Sequence, residues 1–344
     1  MTEKELKNKI KTLHLKEERF ITVTNAEWYS LFKDEIRNSI AIEGIFANRQ
    51  ELVDVLEHNR RTDKQKAASI LGYYEVASSM YEYANNQWKE KEFILRMADI
   101  KQMHTILMRY EKDLGSYIGE IGEFRRTTAE VTQSKFTPCD HFYLREAMEG
   151  MISWVNSHLK RTKLSPVTLA ASTHVWFETI HPFRDGNGRV GRILLNYILI
   201  GCGYLNIAIK GFSKTNRDIY YDALEQSHDP FERILRKVEK GEKFTIAKID
   251  QRLKNKKCGP LTQIILKQLE EGIKKFEKTK PSKVNSEAVL PLRDLAQLYD
   301  YSQDYLRNLI NRGHLKAHKK GKLWYVKVEN IVDYINAHQK DNEK

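Results

Sequence analysis

Apolar residues recur at spacings of three and four along most of this chain, so the elements the pattern predicts are almost all helices. Residues 1–35 read as helix or a partly ordered arm, and 34–59 as helix with a break near Gly44. Residues 62–112 are helical in character, with core positions such as Ile70, Tyr74, Met80, Phe93 and Ile100. Two more helices are predicted over 143–161 and 165–179. Ser165 serves the second as N-cap and Pro166 as its first residue. Ile193, Leu194, Leu195, Tyr197, Ile198 and Leu199 predict a further helix, and 216–225 another. A stripe of Leu261, Ile264, Ile265, Leu269, Ile273 and Phe276 reads as a connector packed on the core, with Gly259-Pro260 breaking the run.

The helical pattern lapses in two places. Gly115, Gly119 and Gly122 lead into a Thr-rich run, Thr127, Thr128, Ala129, Glu130, Val131 and Thr132, closed by Pro138. Its β character predicts one short hairpin with an exposed edge. Near the C-terminus, helices over 292–298 and 303–311 are joined by a turn at Tyr301-Ser302. Gly313 ends the second, and Leu315–His318 and Leu323–Val326 flank a basic hairpin, Lys319-Lys320-Gly321-Lys322. A closing helix is expected over 328–338. The fold class is mainly α, with that one short hairpin and a small C-terminal helix-turn-helix unit.

One stretch concentrates the chemistry. Residues 181–192 read HPFRDGNGRVGR, with an apolar helix before them and an amphipathic one after. Gly186-Asn187-Gly188 falls at the start of the second helix, where unpartnered N–H groups and the helix dipole favour an anion. Arg189 and Arg192 lie three apart on that helix, placed to clamp phosphate oxygens. Asp185 is a hard oxygen ligand suited to a Mg²⁺ that bridges phosphates. His181 titrates near neutrality and suits removal of a proton from a hydroxyl. These parts fit phosphoryl or nucleotidyl transfer, which rests on positioning and charge stabilisation.

Composition narrows the setting. With 344 residues, 41% hydrophobic and 30% charged, the chain has the content of a soluble globular protein of two domains. Cys139, Cys202 and Cys258 indicate neither a disulfide framework nor a cysteine zinc site, as expected for the cytoplasm. The opening MTEKELKNKI lacks the apolar core of a signal peptide. Residues 193–209 contain Asn196, Asn206, Gly201 and Gly203 and read as a buried helix with its turn, so no membrane partner is expected. Of the net charge of +12, residues 236–344 supply most, with 25 Lys+Arg against 14 Asp+Glu. That split predicts two parts with different partners.

HPFRDGNGRVGR also resembles, at every defined position, the signature H-x-F-x-D/E-G-N-G-R-x-x-R of the Fic family of protein adenylyltransferases. The resemblance implies transfer of AMP from ATP, with Mg²⁺, to a Ser, Thr or Tyr hydroxyl of a target protein, the chain itself included. It implies His181 as general base, Phe183 as a buried anchor and Asp185 as the Mg²⁺ ligand. Gly186, Asn187 and Gly188 become the anion cradle, and Arg189 and Arg192 the phosphate-binding arginines. Gly188 stands where a phosphorylating branch has lysine, which favours adenylyl transfer.

Ser39-Ile40-Ala41-Ile42-Glu43-Gly44 resembles a second Fic-related pattern, S/T-x-x-x-E-G/N. In it Glu43 reaches Arg192 and obstructs the ATP γ-phosphate, and the Ser39 hydroxyl, one turn away, orients the carboxylate. The 127–132 hairpin resembles the family's flap, which adds a target segment by strand pairing. Tyr221 and Leu224 are implied as adenine contacts. The C-terminal pattern is similar to excisionase- or MerR-type winged helix-turn-helix domains. Gln303, Arg307 and Asn311 are its expected DNA-facing residues, and Lys319, Lys320 and Lys322 its phosphate contacts.

The expected organisation is an N-terminal helical region over 1–90 with an inhibitory helix near 34–59. A Fic core follows over 91–235, then a helical connector over 236–285 and a winged helix-turn-helix domain over 286–344. A homodimer is a further expectation. Two rival readings stand beside adenylylation: a DNA-binding regulator whose core only senses nucleotide, and an enzyme that also removes AMP.

Overall fold

The computed structural model describes residues 3–16, 21–58, 60, 63–131, 134–161, 164–242, 245–253, 258–278, 287–299, 301–321 and 323–339. The chain divides into two compact units, Met1–Ile21 with Leu31–Glu277, and Thr22–Ser30 with Lys278–Lys344. The stretches expected as N-terminal region, catalytic core and connector fall mostly in the first. No described helix is long and apolar enough to cross a membrane.

The first unit is helical: α1 (Glu3–Lys16), most of α2 (Ala26–Ile42), α3 (Arg49–Leu56), α4 (Lys64–Lys89), α5 (Met97–Asp113), α6 (Leu144–Arg161) and α7 (Pro166–Ile180). Then come α8 (Asn187–Gly201), α9 (Lys214–Glu225), α10 (Asp229–Val238), α11 (Ile246–Leu253) and α12 (Gly259–Lys278). The centre is α8. Ile193 to Ile200 are all buried, and α4, α5 and α7 pack around them. A helix buried on every side has no face to give to water, so it organises the rest.

Local signals set the boundaries. The Ser165 hydroxyl accepts from Thr168 N at 3.2 Å, and Pro166 follows. Gly44, at φ +82°, ends the turn after α2, since a left-handed residue cannot continue a helix. Gly259-Pro260, expected to break the helical run of 236–285, stands at such a break: α11 ends at Leu253 and the pair opens α12. Proline is tolerated in a first turn, where its missing N–H has no helical acceptor. In α12, Leu261, Ile265, Leu269 and Ile273 are buried as the stripe requires.

A correction concerns residues 124–138. No strand forms there among the described residues, so the expected hairpin is absent, and Thr132 lies outside them. The cause is competition for backbone groups. On the return leg, Lys135 N donates to the Glu225 carboxylate, Thr137 N to Glu232 and Asp140 N to Glu239, at 3.1, 3.2 and 2.9 Å. Helix carboxylates have taken the donors that a ladder between the two legs would use.

The second unit contains β1 (Val289–Pro291), α13 (Leu292–Leu298), α14 (Gln303–Asn311), β2 (His318–Lys320), β3 (Leu323–Lys327) and α15 (Val328–Gln339). Its antiparallel sheet has the order β1-β3-β2. Ser302 caps α14 by accepting from Tyr305 N at 3.1 Å. Two features differ from expectation. β1 is too short for a periodicity to register. Lys319 and Lys320 sit within β2, paired with Trp324 and Leu323, and not in the turn. Lys322 lies outside the described residues.

Candidate active site

The site is built where α7 passes into α8. His181 caps α7 in the left-handed conformation, φ +52°, and its N–H still donates to Phe177 O at 2.9 Å. That turn swings the chain away from the helix axis into Pro182–Gly186. Asn187 then fastens the loop. Its side chain accepts from Phe183 N at 2.9 Å and donates to Phe183 O at 2.8 Å. Phe183 is fully buried and stacks on His104 of α5, with ring centroids 3.9 Å apart.

His104 also fixes the loop by hydrogen bonds. Gly122 N donates to its Nδ1 at 2.8 Å, so Nε2 carries the proton and donates to Asp185 O at 3.1 Å. Burial lowers its pKa to about 4, keeping the ring neutral. The contact of His104 with Asp185, 81 residues away in the chain, left no sign in local spacing.

Gly186, at φ +77°, starts α8 without a side-chain cap, and Val190 N is bonded to Gly186 O. Residues 187–189 therefore supply the N–H groups that an α-helix leaves without helical partners. A side chain at Gly186 would strike Met108 Sδ, 2.8 Å from an added Cβ. The Asn187 side chain is committed to Phe183, so its part in the expected anion cradle is its backbone N–H.

The two motif arginines diverge. Arg189 forms a buried pair with both oxygens of Glu111 on α5, and Glu111 also accepts from Ser69. The fold thus neutralises that guanidinium within the protein. Arg192 turns to α2. Its Nε donates to Ser39 Oγ at 2.7 Å, and Nη2 donates to Ser39 O at 3.1 Å and to Glu43 Oε1 at 2.5 Å. Ser39 thus orients the arginine; the hydrogen bond from Ser39 to Glu43 that the sequence reading expected is not formed among the described residues.

Glu43 stands over the start of α8. A Cβ on Gly188 would lie 2.6 Å from its Oε1, so the glycine admits the carboxylate. Burial opposes ionisation of Glu43, but Arg192, with Arg189 behind it, outweighs that and holds its pKa below the usual range. The side chain nevertheless stays 35% exposed, against 4% for Arg192. A carboxylate of the chain itself occupies the helix end suited to an anion.

Burial, with Arg125 nearby, lowers the pKa of His181 to about 4, so its imidazole is neutral and able to accept a proton near neutral pH. Its Nδ1 is buried and has no hydrogen-bond partner. Asp185 is exposed, and its Oδ1 accepts from Gly186 N at 2.5 Å. The described residues hold no cluster of three or more metal-ligating side chains. One carboxylate fits Mg²⁺, which keeps several waters and takes substrate phosphates as ligands.

Of the adenine candidates, Tyr221 is partly exposed and donates to Ile42 O at 3.1 Å, while Leu224 is buried. Gly44 has open space around it. Thr127, Thr128 and Glu130 are exposed; Ala129 and Val131 are half-buried. Two groups were given no functional role by the sequence reading. Glu178 is buried beside Gly191, and burial raises its pKa to about 8. Arg125, also buried, donates through Nε to His181 O at 2.8 Å.

In the second unit, Gln303, Arg307 and Asn311 are exposed at four-residue spacing on α14, and Arg307 pairs with Asp304 at 2.8 Å. Lys319 lies over the Trp324 ring at 4.9 Å and Lys320 over the Tyr325 ring at 5.0 Å.

The Fic/DOC family profile matches residues 94–199, and a helix-turn-helix domain profile matches residues 290–339. A probable protein adenylyltransferase of Aquifex aeolicus, aq_aa38, is 26% identical over 314 residues, covering 91% of this chain and 90% of that protein. The protein adenylyltransferase Fic of Aedes aegypti is 30% identical over 206 residues. That match covers 58% of this chain but only 38% of the mosquito protein. A Fic domain containing signaling protein from Bacteroides thetaiotaomicron shares the fold, with a TM-score of 0.58 at 20% identity, covering 81% of this chain and 98% of that one. Fic-1 from C. elegans, residues 134–508, does so at a TM-score of 0.54 and 19% identity, covering 80% and 72%. The chain therefore carries a Fic/DOC-family domain over residues 94–199 and a helix-turn-helix domain over residues 290–339.

Proposed function

We propose that this chain transfers AMP from ATP to a Ser, Thr or Tyr hydroxyl of a target protein, its own hydroxyls included, and that Glu43 restrains the reaction. The observation that carries the reading is the carboxylate of Glu43 at the start of α8, bonded to Arg192 and admitted by Gly188. An end of a helix that holds a carboxylate against an arginine is suited to a phosphate once that carboxylate leaves.

In the reaction, His181 removes the proton from the target hydroxyl as its oxygen bonds to the α-phosphorus. The bond from that phosphorus to the pyrophosphate oxygen breaks, and pyrophosphate leaves. Asp185 is the residue to hold Mg²⁺, which when bound neutralises phosphate charge. The N–H groups of 187–189 face the developing negative charge, and Ser39 keeps Arg192 aimed when phosphate replaces Glu43. The partly exposed run 127–131 is the candidate surface for an extended target segment. The helix-turn-helix domain is proposed to bind duplex DNA through Gln303, Arg307, Asn311 and the lysines of its wing.

A nucleotide sensor needs no proton acceptor at the α-phosphate, so a neutral His181 favours an enzyme. The test is incubation of the purified Glu43→Gly chain with Mg²⁺-ATP, followed by peptide mapping. Added AMP on a hydroxyl supports the reading, and a folded, ATP-binding protein that modifies neither itself nor lysate proteins contradicts it. AMP removal, scored on the labelled protein with the wild-type chain, is the alternative outcome for Glu43.

A further inference from the structure

Arg125 is a buried cation whose guanidinium is spent on carbonyl groups. Nε donates to His181 O at 2.8 Å, Nη1 to Thr127 O at 2.6 Å and Nη2 to Cys139 O, while its own N–H donates to Pro182 O at 2.9 Å. No carboxylate pairs with it among the described residues. Burying a charge is expensive unless hydrogen bonds fill its donors. Here those bonds join three pieces of chain: the backbone of His181, the outgoing leg at Thr127 and the return leg at Cys139. Only the planar five-donor fork of arginine reaches three acceptors in different directions at once.

The return leg is held independently along its length. Besides the three backbone donors that end on Glu225, Glu232 and Glu239, Ser134 Oγ donates to Glu225 at 2.6 Å. Arg236 donates to Thr137 O and Pro138 O at 2.8 and 3.0 Å. Phe136 stacks on His228, whose Nδ1 is 2.7 Å from Thr179 Oγ1, two residues before His181. The outgoing leg is different. Residues 128–131 alternate exposed and half-buried, as one strand of a half-covered sheet would. A cavity lined by Tyr117, Phe124, Arg125 and Thr127 of this leg and its approach also has Arg184 of the motif loop in its wall.

We propose that Arg125 is a positioning residue that fixes the register between the outgoing leg and His181, and so selects which hydroxyl of a docked target segment is modified. The inference rests on the adenylylation reading above. Register is decisive because a slip of one residue along a strand moves a hydroxyl by about 3.4 Å and turns it to the opposite face. The carboxylate ladder of Glu225, Glu232 and Glu239 supports the same register from the far end of the segment.

The test uses the full chain carrying Glu43→Gly as parent. Its own hydroxyls and a synthetic library of peptides, each with one Ser, Thr or Tyr, serve as acceptors with Mg²⁺-ATP. Arg125→Lys keeps the charge but not the fork. It should bind a fluorescent ATP analogue within about twofold of the parent, yet modify the parent's preferred hydroxyls about tenfold more slowly. Mass-spectrometric mapping should also find label spread to hydroxyls the parent leaves alone. The triple change Glu225→Gln, Glu232→Gln, Glu239→Gln falls on half-buried side chains and leaves Arg125 in place. It should shift the site distribution in the same sense, with a loss of about threefold.

A folded Arg125→Lys protein with the parent's rates and sites overturns the inference. So does a variant whose only change is weaker ATP binding, since that is a structural effect. Where Arg125→Lys fails to fold, an unchanged site distribution in the triple variant overturns the proposal alone. A parent that modifies no hydroxyl removes the adenylylation reading, and this inference with it.

Discussion

The two units differ in where they keep their ionisable side chains. Between residues 31 and 277 the fold buries Glu35, Glu111, Arg125, Glu178, Arg189 and Arg192. Among the described residues of 287–339 every buried side chain is apolar, from Ala288 to Ile331. Interior charge is costly and persists only with its partners in place. In the first unit those partners arrange chemistry in advance: Glu111 fixes Arg189, Ser39 aims Arg192, and two tyrosines with Asn206 surround Glu35. The second unit has only its surface to offer a partner. That surface is less basic than the chain's charge suggests, since residues 287–344 hold 10 Lys+Arg against 8 Asp+Glu, while 236–286 hold 15 against 6. Interior order suits catalysis and surface order suits recognition.

The sharpest way to break the comparison is at His181. His181→Ala in the Glu43→Gly chain should lower AMP transfer by roughly 10²–10⁴-fold and leave ATP affinity nearly unchanged. Equal loss of ATP binding in calorimetry would mean that the histidine holds the loop and does not accept a proton. Next comes Glu43→Gly itself. Relieving the misplacement it imposes should raise transfer by about tenfold to a hundredfold. Thermal stability should fall, because Arg192 loses its anion, and Mg²⁺-ATP should restore more stability to the variant than to wild type. Ser39→Ala should act more weakly, since it loosens only the aim of Arg192; initial rates at matched ATP rank the three.

For the second unit, the proposal is a salt-dependent interaction. Replacing Lys319, Lys320 and Lys322 by Ala in the full chain should flatten the log–log salt slope of duplex-DNA binding by about two to three. The cation–π contacts of Lys319 and Lys320 with strand-partner rings predict a small loss of stability in the same variant. Wild-type protein without DNA affinity at low salt would leave this surface to another protein.

The smallest effect comes from buried acids. Burial raises the pKa of Glu178 to about 8 and of Glu35 to about 7, from a usual value of 4.5. Both stay protonated in the fold while the unfolded chain ionises them, so their stabilisation is full below pH 4.5 and lost as pH rises through 7 and 8. Stability should therefore fall between pH 6.5 and 8, by at most about 1.4 kcal/mol per pH unit for each group. Glu178→Gln should flatten the decline in melting temperature over that range. An unaltered profile would mean that Glu178 ionises in the folded protein.

Much of the fold was legible because helices write their period into adjacent residues. The limits of α14, the Ser165 cap, the Gly44 break and the buried stripe of α12 all follow from local patterns. The motif of 181–192 was legible for the same reason, being contiguous. The misread parts depended on distant partners. Nothing near Thr127 announces that Glu225, Glu232 and Glu239, about a hundred residues on, take the donors a hairpin would need. Nothing near Arg189 names Glu111 as its partner. Arg125 was passed over because an arginine bonded to carbonyls has no partner residue type to betray it.

Glu43 at the start of α8 is the central claim, and one comparison of intact mass tests it most directly. Wild type, Glu43→Gly and Glu43→Gly with His181→Ala are incubated with equal Mg²⁺-ATP and weighed over time. The account predicts slow or no gain for wild type, rapid gain of whole AMP units for Glu43→Gly, and none for the double variant. Gain as fast in wild type as in a folded Glu43→Gly protein would contradict it.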